Sequence, residues 1–176
     1  MCIFVVKFRK RFFIKYKTMF VITGMTDVAV DSKGRFLMPA FWKSLFAQHQ
    51  INEFVIKRHL YHSCLELIPI SVWNEELNKL NKLNRFNKQS NDFIRFYMSG
   101  VRVIEFDKVG RIQIPKELYD YAAIKNTAVL SSSIDRIEIW DKEQYENYLD
   151  SHSDEFQKFA EDFLGKSFMS DEEDQA

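Results

Sequence analysis

One short motif occurs twice in the chain: an aspartate is followed three positions later by a glycine and four positions later by an arginine. The residues of the two copies, with the lysines between them, are Asp31, Lys33, Gly34 and Arg35, and Asp107, Lys108, Gly110 and Arg111. An arginine side chain presents a planar fork of five N–H donors, which fits a phosphate or the O6/N7 edge of guanine. The arginine of the motif is therefore suited to contact with nucleic acid.

Two interpretations of the aspartate remain open. A carboxylate on a phosphate-binding surface repels phosphate unless a cation holds it, which predicts that each aspartate contacts the arginine of its own copy and orients it. Alternatively, the carboxylate accepts backbone N–H groups of its own loop, as in an Asx turn. Gly34 and Gly110 suit a tight reversal because glycine adopts positive φ at little cost, which would leave each arginine facing solvent at the turn tip. The motif could also be only a hairpin turn, since short motifs recur by chance.

The motif is part of a longer internal repeat. Residues 28–39 match residues 104–115 at an offset of 76, and residues 64–77 resemble residues 136–149 at an offset of 72. Apolar and polar residues alternate on both sides of each motif, which predicts a β-hairpin or a strand–loop–strand unit. A proline after each unit predicts the start of a short helix, and two further strands and a closing helix follow. Two copies indicate a duplicated lobe and not a solenoid.

The repeat and the charge distribution divide the chain into five segments. We predict a basic N-terminal extension (1–18), a first lobe (19–83), a helical connector (84–100), a second lobe with a C-terminal helix (101–164) and an acidic disordered tail (165–176). Gly165 is the expected end of the last helix. The extension carries six basic residues and no acidic one, so a DNA-contacting arm and a start site placed upstream of the true Met19 both remain open.

The composition limits the classes of protein that fit these motifs. The chain has 176 residues with 25 basic and 25 acidic side chains, and residues 19–140 carry 16 of the former and 13 of the latter. A mildly basic body fits nucleic-acid binding, while an acidic end discourages non-specific contacts. Two cysteines exclude a disulfide framework, and no apolar run reaches the roughly 20 residues that span a bilayer. We expect a soluble protein of a reducing compartment with no membrane partner.

Three other residues have a spacing that raises the question of a metal site: His59, His62 and Cys64. A closed structural zinc site needs four ligands, and no fourth ligand is evident in the sequence. Nucleophile-elbow, P-loop, dinucleotide-binding and zinc-protease motifs are also missing from the sequence. We therefore predict no metal, no cofactor, no small-molecule substrate and no enzymatic activity.

In their sequence context the two motifs resemble those of the MraZ family of bacterial proteins. The resemblance rests on Met19-Phe20, on Asp31-Ser32-Lys33-Gly34-Arg35-Phe36 with Pro39, on Asp107-Lys108-Val109-Gly110-Arg111 with Pro115, and on residues 62–73 and 137–149. It covers about residues 19–150. It implies a mainly β fold with flanking helices: an AbrB-like swapped-hairpin β-barrel built from two duplicated lobes of one chain.

The resemblance also implies a function. Family members of this kind are expected to be cytoplasmic, nucleoid-associated transcriptional regulators of the division and cell wall gene cluster, which bind direct operator repeats in double-stranded DNA as ring-like homo-oligomers. The residues assigned to DNA binding are Arg35, Arg111, Lys33 and Lys108, and those assigned to orienting the loops are Asp31, Asp107, Gly34 and Gly110. Val109 departs from the pattern because it stands where the first motif has Lys33, so the second loop is expected to contact phosphate differently or more weakly.

Two alternative functions fit the same features. An AbrB-like antitoxin would bind DNA through the same barrel and a toxin through the acidic tail. An interaction scaffold would bind protein through the helices of residues 71–99 and would not need exposed arginines.

Overall fold

The computed structural model describes the backbone of residues 20–173 and the side chains of residues 20–153, 155–156 and 158–163; the basic extension 1–18 lies outside the described residues. In chain order the elements are β1 (Met25–Ala29), β2 (Arg35–Leu37), α1 (Ala40–Gln48), β3 (Glu53–Arg58), β4 (Leu65–Pro69), α2 (Ile70–Leu80), α3 (Lys88–Tyr97), β5 (Arg102–Glu105), β6 (Arg111–Gln113), α4 (Lys116–Tyr121), β7 (Thr127–Ser133), β8 (Arg136–Asp141) and α5 (Lys142–Glu173).

The two halves of the chain have the same order of elements, and they exchange strands. β1 of the first half pairs antiparallel with β7 of the second, and β5 of the second half pairs antiparallel with β3 of the first. The large sheet has the order β1-β7-β8-β4-β3-β5, while β2 and β6 form a separate two-stranded ribbon. The strands on either side of each motif therefore join different sheets, so the hairpin interpretation is wrong and the strand–loop–strand interpretation is confirmed. The mainly β fold with flanking helices and swapped strands is also confirmed.

An approximate two-fold axis relates the halves. Phe36 of β2 faces Ile112 of β6, and these residues are separated by the repeat offset of 76. Glu66 of β4 faces Glu138 of β8, and these are separated by the second offset of 72. Since equivalent residues face each other in both antiparallel pairs, the axis passes through the ribbon and through the centre of the large sheet. Each half completes the sheet of the other.

One main core is shared by both halves. α1 and α4 begin directly after Pro39 and Pro115, as the prolines predict. α1 places Trp42 and Phe46, one helical turn apart, in the core, where the Phe46 ring lies edge-on to Phe54 with centroids 4.8 Å apart. The other large buried side chains of this core include Phe36, Met38, Ile56, Leu65, Leu67, Ile112, Ile114, Leu118, Leu130, Ile137 and Ile139. Burial of residues from both halves in one cluster holds the ribbon against the large sheet.

The closing helices cover the outside of the sheet. α2 packs Trp73 on Val55 and Ile68, and the ring of Tyr97 from α3 stacks on Trp73. α5 starts after Asp141, whose carboxylate accepts the Gln144 N–H at 3.4 Å. Within residues 20–173, no helix combines the length and apolar character needed to cross a membrane.

The end of α5 differs from the prediction. The helix passes Gly165 and continues to Glu173, so residues 165–173 are helical, where the sequence predicts disorder. A glycine inside a helix costs only about 1 kcal/mol relative to alanine, and no proline follows it to stop the helix. Residues 174–176 lie outside the described residues, and the five-segment division of the chain stays a prediction.

Candidate nucleic-acid interface

The first motif forms a closed loop around its aspartate. The Asp31 N–H donates to the Arg35 carbonyl, and the Asp31 carbonyl accepts the Gly34 N–H, both at 2.9 Å. The carboxylate divides its two oxygens: Oδ1 accepts the backbone N–H groups of Lys33 and Arg35 at 2.9 and 3.0 Å, and Oδ2 accepts Nε of Arg35 at 2.8 Å. Nη2 of Arg35 lies 2.6 Å from the same Oδ2. Both open interpretations of the aspartate therefore hold at once, because the carboxylate builds the turn and orients the guanidinium.

The second motif repeats this geometry. The Asp107 N–H donates to the Arg111 carbonyl, and the Asp107 carbonyl accepts the Gly110 N–H, again at 2.9 Å. Oδ1 of Asp107 accepts the N–H groups of Val109 and Arg111 at 2.9 Å each, and Oδ2 accepts Nε of Arg111 at 2.7 Å. Val109 is therefore the structural counterpart of Lys33, as the offset of 76 indicates.

The glycines tie each loop to the other half of the chain. Gly34 and Gly110 have φ of +74° and +88°, in the left-handed region that favours glycine. The Gly34 carbonyl accepts the Ile114 N–H at 2.9 Å, and the Gly110 carbonyl accepts the Met38 N–H at 3.2 Å. Each loop is thus fixed to the strand end that belongs to the opposite repeat.

The ribbon brings the two arginines to one face. Arg35 faces Gln113 and Leu37 faces Arg111 across β2 and β6, while Phe36 and Ile112 between them are buried in the core. Because directly opposed residues share a face and successive residues alternate, these four outer side chains project together away from the core. The two arginines are diagonal neighbours, with Cα atoms about 7–8 Å apart.

The arginines are less exposed than a turn tip implies. Each begins a strand, and 28% of the Arg35 side chain and 35% of the Arg111 side chain are accessible. The exposed tips carry Lys33 in the first loop and Lys108 and Val109 in the second. The prediction that the arginines occupy the tips is therefore wrong, because their aspartates hold them back along the strand.

Each loop keeps its aspartate ionised and paired with its arginine. The hydrogen bond from the Arg35 side chain is the main cause that lowers the pKa of Asp31 to about 2, and the Arg35 and Lys33 N–H groups lower it further. The Arg111 N–H, followed by the Arg111 side chain, lowers the pKa of Asp107 to about 2. Both carboxylates are ionised at neutral pH and neutralise their own arginines, so the lysines give each loop its net positive charge.

Comparison with known proteins assigns the chain to a family. A family model described as "MraZ protein, putative antitoxin-like" matches residues 98–166. The chain is 44% identical over 144 residues to the transcriptional regulator MraZ of Christiangramia forsetii, covering 82% of this chain and 93% of that protein. Its identity to the protein of the same name is 43% in Flavobacterium psychrophilum, over 82% of this chain and 92% of that protein, and 37% in Halothermothrix orenii, over 74% and 88%. The chain belongs to the MraZ family. Its relatives carry the name of transcriptional regulators, and MraZ is not a family of enzymes.

One basic side chain near the MraZ motifs was missed by sequence reasoning. Lys43 lies on α1, and its Nζ donates to the Val109 carbonyl of the second loop at 3.4 Å. It follows the first motif in the sequence and contacts the second, 66 residues away. Local patterns carry no signal for such a contact, which arises because the swapped strands of this chain place α1 beside the second loop and α4 beside the first.

The histidine and cysteine residues at 59–64 have structural partners. Nδ1 of His59 accepts the backbone N–H groups of Tyr61 and His62 at 3.1 and 3.2 Å. Cys64 is buried beside Val129 and Trp140, and burial raises the pKa of its thiol above the ordinary range. In the part of the chain that the structure describes, no three His, Cys, Asp or Glu side chains are placed to hold a metal ion.

The buried charges form a network away from the ribbon. Nζ of Lys57 contacts the Glu66 carboxylate, which also accepts Nη1 of Arg136 at 3.1 Å. Arg136 bridges to Glu76 and Asp135 as well. These residues pair with one another across β3, β4, β8 and α2, so we assign them to the fold and not to the interface.

Proposed function

We propose that this MraZ-family chain regulates transcription by binding double-stranded DNA sequence-specifically through the outer face of the β2–β6 ribbon. Arg35 and Arg111 contact base edges, and Lys33 and Lys108 neutralise phosphates. Asp31 and Asp107, with Gly34 and Gly110, orient the loops. The observation that carries the proposal is the placement of two arginines on one exposed face, each oriented by its own ionised aspartate.

The dimensions of the ribbon support this proposal. A two-stranded β-ribbon fits into the major groove of B-DNA, where a guanidinium donates to O6 and N7 of guanine. The separation of about 7–8 Å between the two arginine positions corresponds to about two base-pair steps of 3.4 Å. The aspartate contact uses the Nε side of each guanidinium, which leaves the Nη1 side for a base.

Association of several copies would strengthen binding by one ribbon. We propose a ring-like homo-oligomer on direct operator repeats of the division and cell wall operon of the chain itself, as the family resemblance implies, because linked weak contacts gain affinity through effective concentration. Exposed apolar side chains on α5 support self-association. Leu149, Phe156, Phe159 and Phe163 are 50%, 69%, 67% and 60% exposed. Their spacing of seven and of three or four residues forms a coiled-coil type of stripe, which a second copy would cover.

This function places the protein with the chromosome, in the cytoplasm at the nucleoid. The antitoxin and scaffold functions differ from it in what they require of the ribbon. An antitoxin needs the arginines and also a protein partner, whereas a scaffold needs neither arginine for its activity.

The decisive experiment is a mobility-shift titration with two duplexes of equal length: the DNA upstream of the gene for this protein and a random sequence. We expect Arg35→Ala and Arg111→Ala each to weaken binding to the upstream duplex roughly 5- to 150-fold, and to weaken random-sequence binding much less. The matched control is Arg85→Ala, which removes an exposed arginine between α2 and α3.

Two outcomes would contradict the proposal. Wild-type affinity of the Arg35→Ala/Arg111→Ala double variant for both duplexes would remove the ribbon from the interface and favour the scaffold. Equal affinity of the wild-type protein for both duplexes would leave only non-specific electrostatic binding.

A further inference from the structure

The two loops differ at the residue two positions after the aspartate, whose backbone N–H donates to the carboxylate. Lys33 and Val109 are equivalent, since each donates its N–H to Oδ1 of its aspartate at 2.9 Å. The first loop therefore has an ammonium group at this position, while the second has an apolar side chain that is 60% exposed. On sequence alone, the second loop is weaker in phosphate contacts here.

A lysine from outside the second loop lies against this position. Nζ of Lys43 donates to the Val109 carbonyl at 3.4 Å, and a Cβ added to Gly110 would lie 2.5 Å from that Nζ. The ammonium group therefore rests directly on the Val109–Gly110 backbone, and the Lys43 residue is exposed. The counterpart of Lys43 in the other half is Tyr119, whose ring lies 3.6 Å from a Cβ built on Gly34.

The charge of Lys43 is available to a ligand. An ammonium group has three N–H donors, and the Val109 carbonyl uses one of them without cancelling the charge. Among the described residues, no carboxylate lies within ion-pair distance of Lys43. Lys116, the lysine on α4 near the first loop, differs because Asp120 holds its ammonium group at 3.0 Å.

We propose that Lys43 binds a DNA phosphate at the second loop, where it takes the role that Lys33 has in the first. The inference rests on the proposed function and adds a residue to the same site. Each loop then offers a lysine at the same step of the turn, one from its own backbone position and one from the helix of the opposite repeat.

The test is the salt dependence of binding by Lys43→Gln, measured with the upstream and the random duplex. We expect the slope of log affinity against log salt to fall by about 0.9 for each protomer in contact with the duplex. The loss of affinity should be the same factor on both duplexes, because phosphates carry no sequence information. Lys43→Arg should keep the slope, and Lys88→Gln, which removes an exposed lysine on α3, should leave it unchanged.

A second variant separates charge from loop support. Lys43→Gln/Val109→Lys returns an ammonium group to the loop from the Lys33-equivalent position, and we expect it to restore the wild-type slope. A slope that stays low in this double variant would overturn the phosphate role, because Lys43 would then act by holding the Val109 carbonyl.

The outcomes also separate this inference from the proposed function. An unchanged slope for Lys43→Gln, with binding still lost in Arg35→Ala/Arg111→Ala, would overturn the role of Lys43 alone. Wild-type binding by all of these variants would overturn both.

Discussion

The two motif loops share the same hydrogen bonds around the aspartate but have different side chains beside them. In both, the aspartate accepts two backbone N–H groups and one arginine side chain, and in both its pKa is lowered to about 2. The side chain that covers the glycine differs, since Tyr119 lies on the first loop and Lys43 on the second. The contacts that set the backbone and the arginine of each loop are the same in both repeats, while the side chains beside each arginine differ.

This difference has a consequence for the proposed operator. Two identical loops related by a two-fold axis would bind a DNA site equally well in either orientation. Unequal loops, with Lys33 and Tyr119 on one side and Val109 and Lys43 on the other, give the ribbon a direction. Direct repeats require protomers that all bind in the same direction, so the divergence of the loops supports the proposed arrangement of sites.

The largest expected effect comes from disturbing the packing of the ribbon that carries both loops. Phe36→Ala removes a ring that is 1% exposed and faces Ile112 across the axis. We expect the free energy of unfolding to fall by about 3–5 kcal/mol, because the ribbon loses a large side chain that is buried in the core. Chemical denaturation measures this change.

Leu37→Ala is the control for that substitution. Leu37 neighbours Phe36 on the same strand, and its side chain is 55% exposed on the outer face. Its removal should change stability by no more than about 0.5 kcal/mol. Equal losses for the two variants would mean that the ribbon does not pack as described.

Those parts of the fold and of the loops that depend on residues close in sequence could be predicted from the sequence. The aspartate–arginine contact spans four positions, and the sequence predicts strands at residues 53–57 and 127–130, which in the structure extend to Arg58 and Ser133. The family resemblance implies the exchange of strands, but residue patterns alone cannot predict it, because β1 has two equivalent candidates as partner, β3 and β7, when the repeats are alike. Lys43 was missed for the same reason, since its contact exists only after the halves have exchanged strands.

The next prediction concerns the two glycines, whose surroundings differ. Gly34→Ala and Gly110→Ala both force alanine into positive φ, which costs about 1–2 kcal/mol. A Cβ at Gly34 would also lie 3.1 Å from the Ile114 carbonyl, a backbone atom, whereas a Cβ at Gly110 would meet the flexible end of Lys43. We therefore expect Gly34→Ala to destabilise the protein more, as measured by thermal unfolding.

The same two glycine variants also test whether the side chains beside the two loops contribute differently to DNA binding. Gly110→Ala must displace the ammonium group of Lys43, so its binding to DNA should show the reduced salt slope expected for Lys43→Gln. Gly34→Ala should keep the wild-type slope because the side chain beside its Cβ, Tyr119, is not a basic residue. Identical slopes for the two variants would contradict the assigned difference between the loops.

The smallest expected effect concerns the pKa values of the two aspartates, which depend to different degrees on the arginine side chain. The main cause of the low pKa is the Arg35 side chain for Asp31 and the Arg111 backbone N–H for Asp107. Arg35→Ala removes the main cause, while Arg111→Ala keeps the backbone N–H. We therefore expect the pKa of Asp31 to rise more in Arg35→Ala than that of Asp107 rises in Arg111→Ala, as followed by carboxyl NMR titration.

The sign of the pH dependence follows from the same values. Because the folded pKa of about 2 lies below the ordinary value of 3.8, each carboxylate stabilises the fold above pH 3.8, and this contribution is lost as the pH falls through 2. Acid unfolding of Arg35→Ala should therefore begin at higher pH than that of Arg111→Ala. Superimposable acid transitions would show that the two carboxylates depend equally on their arginine side chains, and the difference between the loops would then be confined to Lys33, Val109, Tyr119 and Lys43.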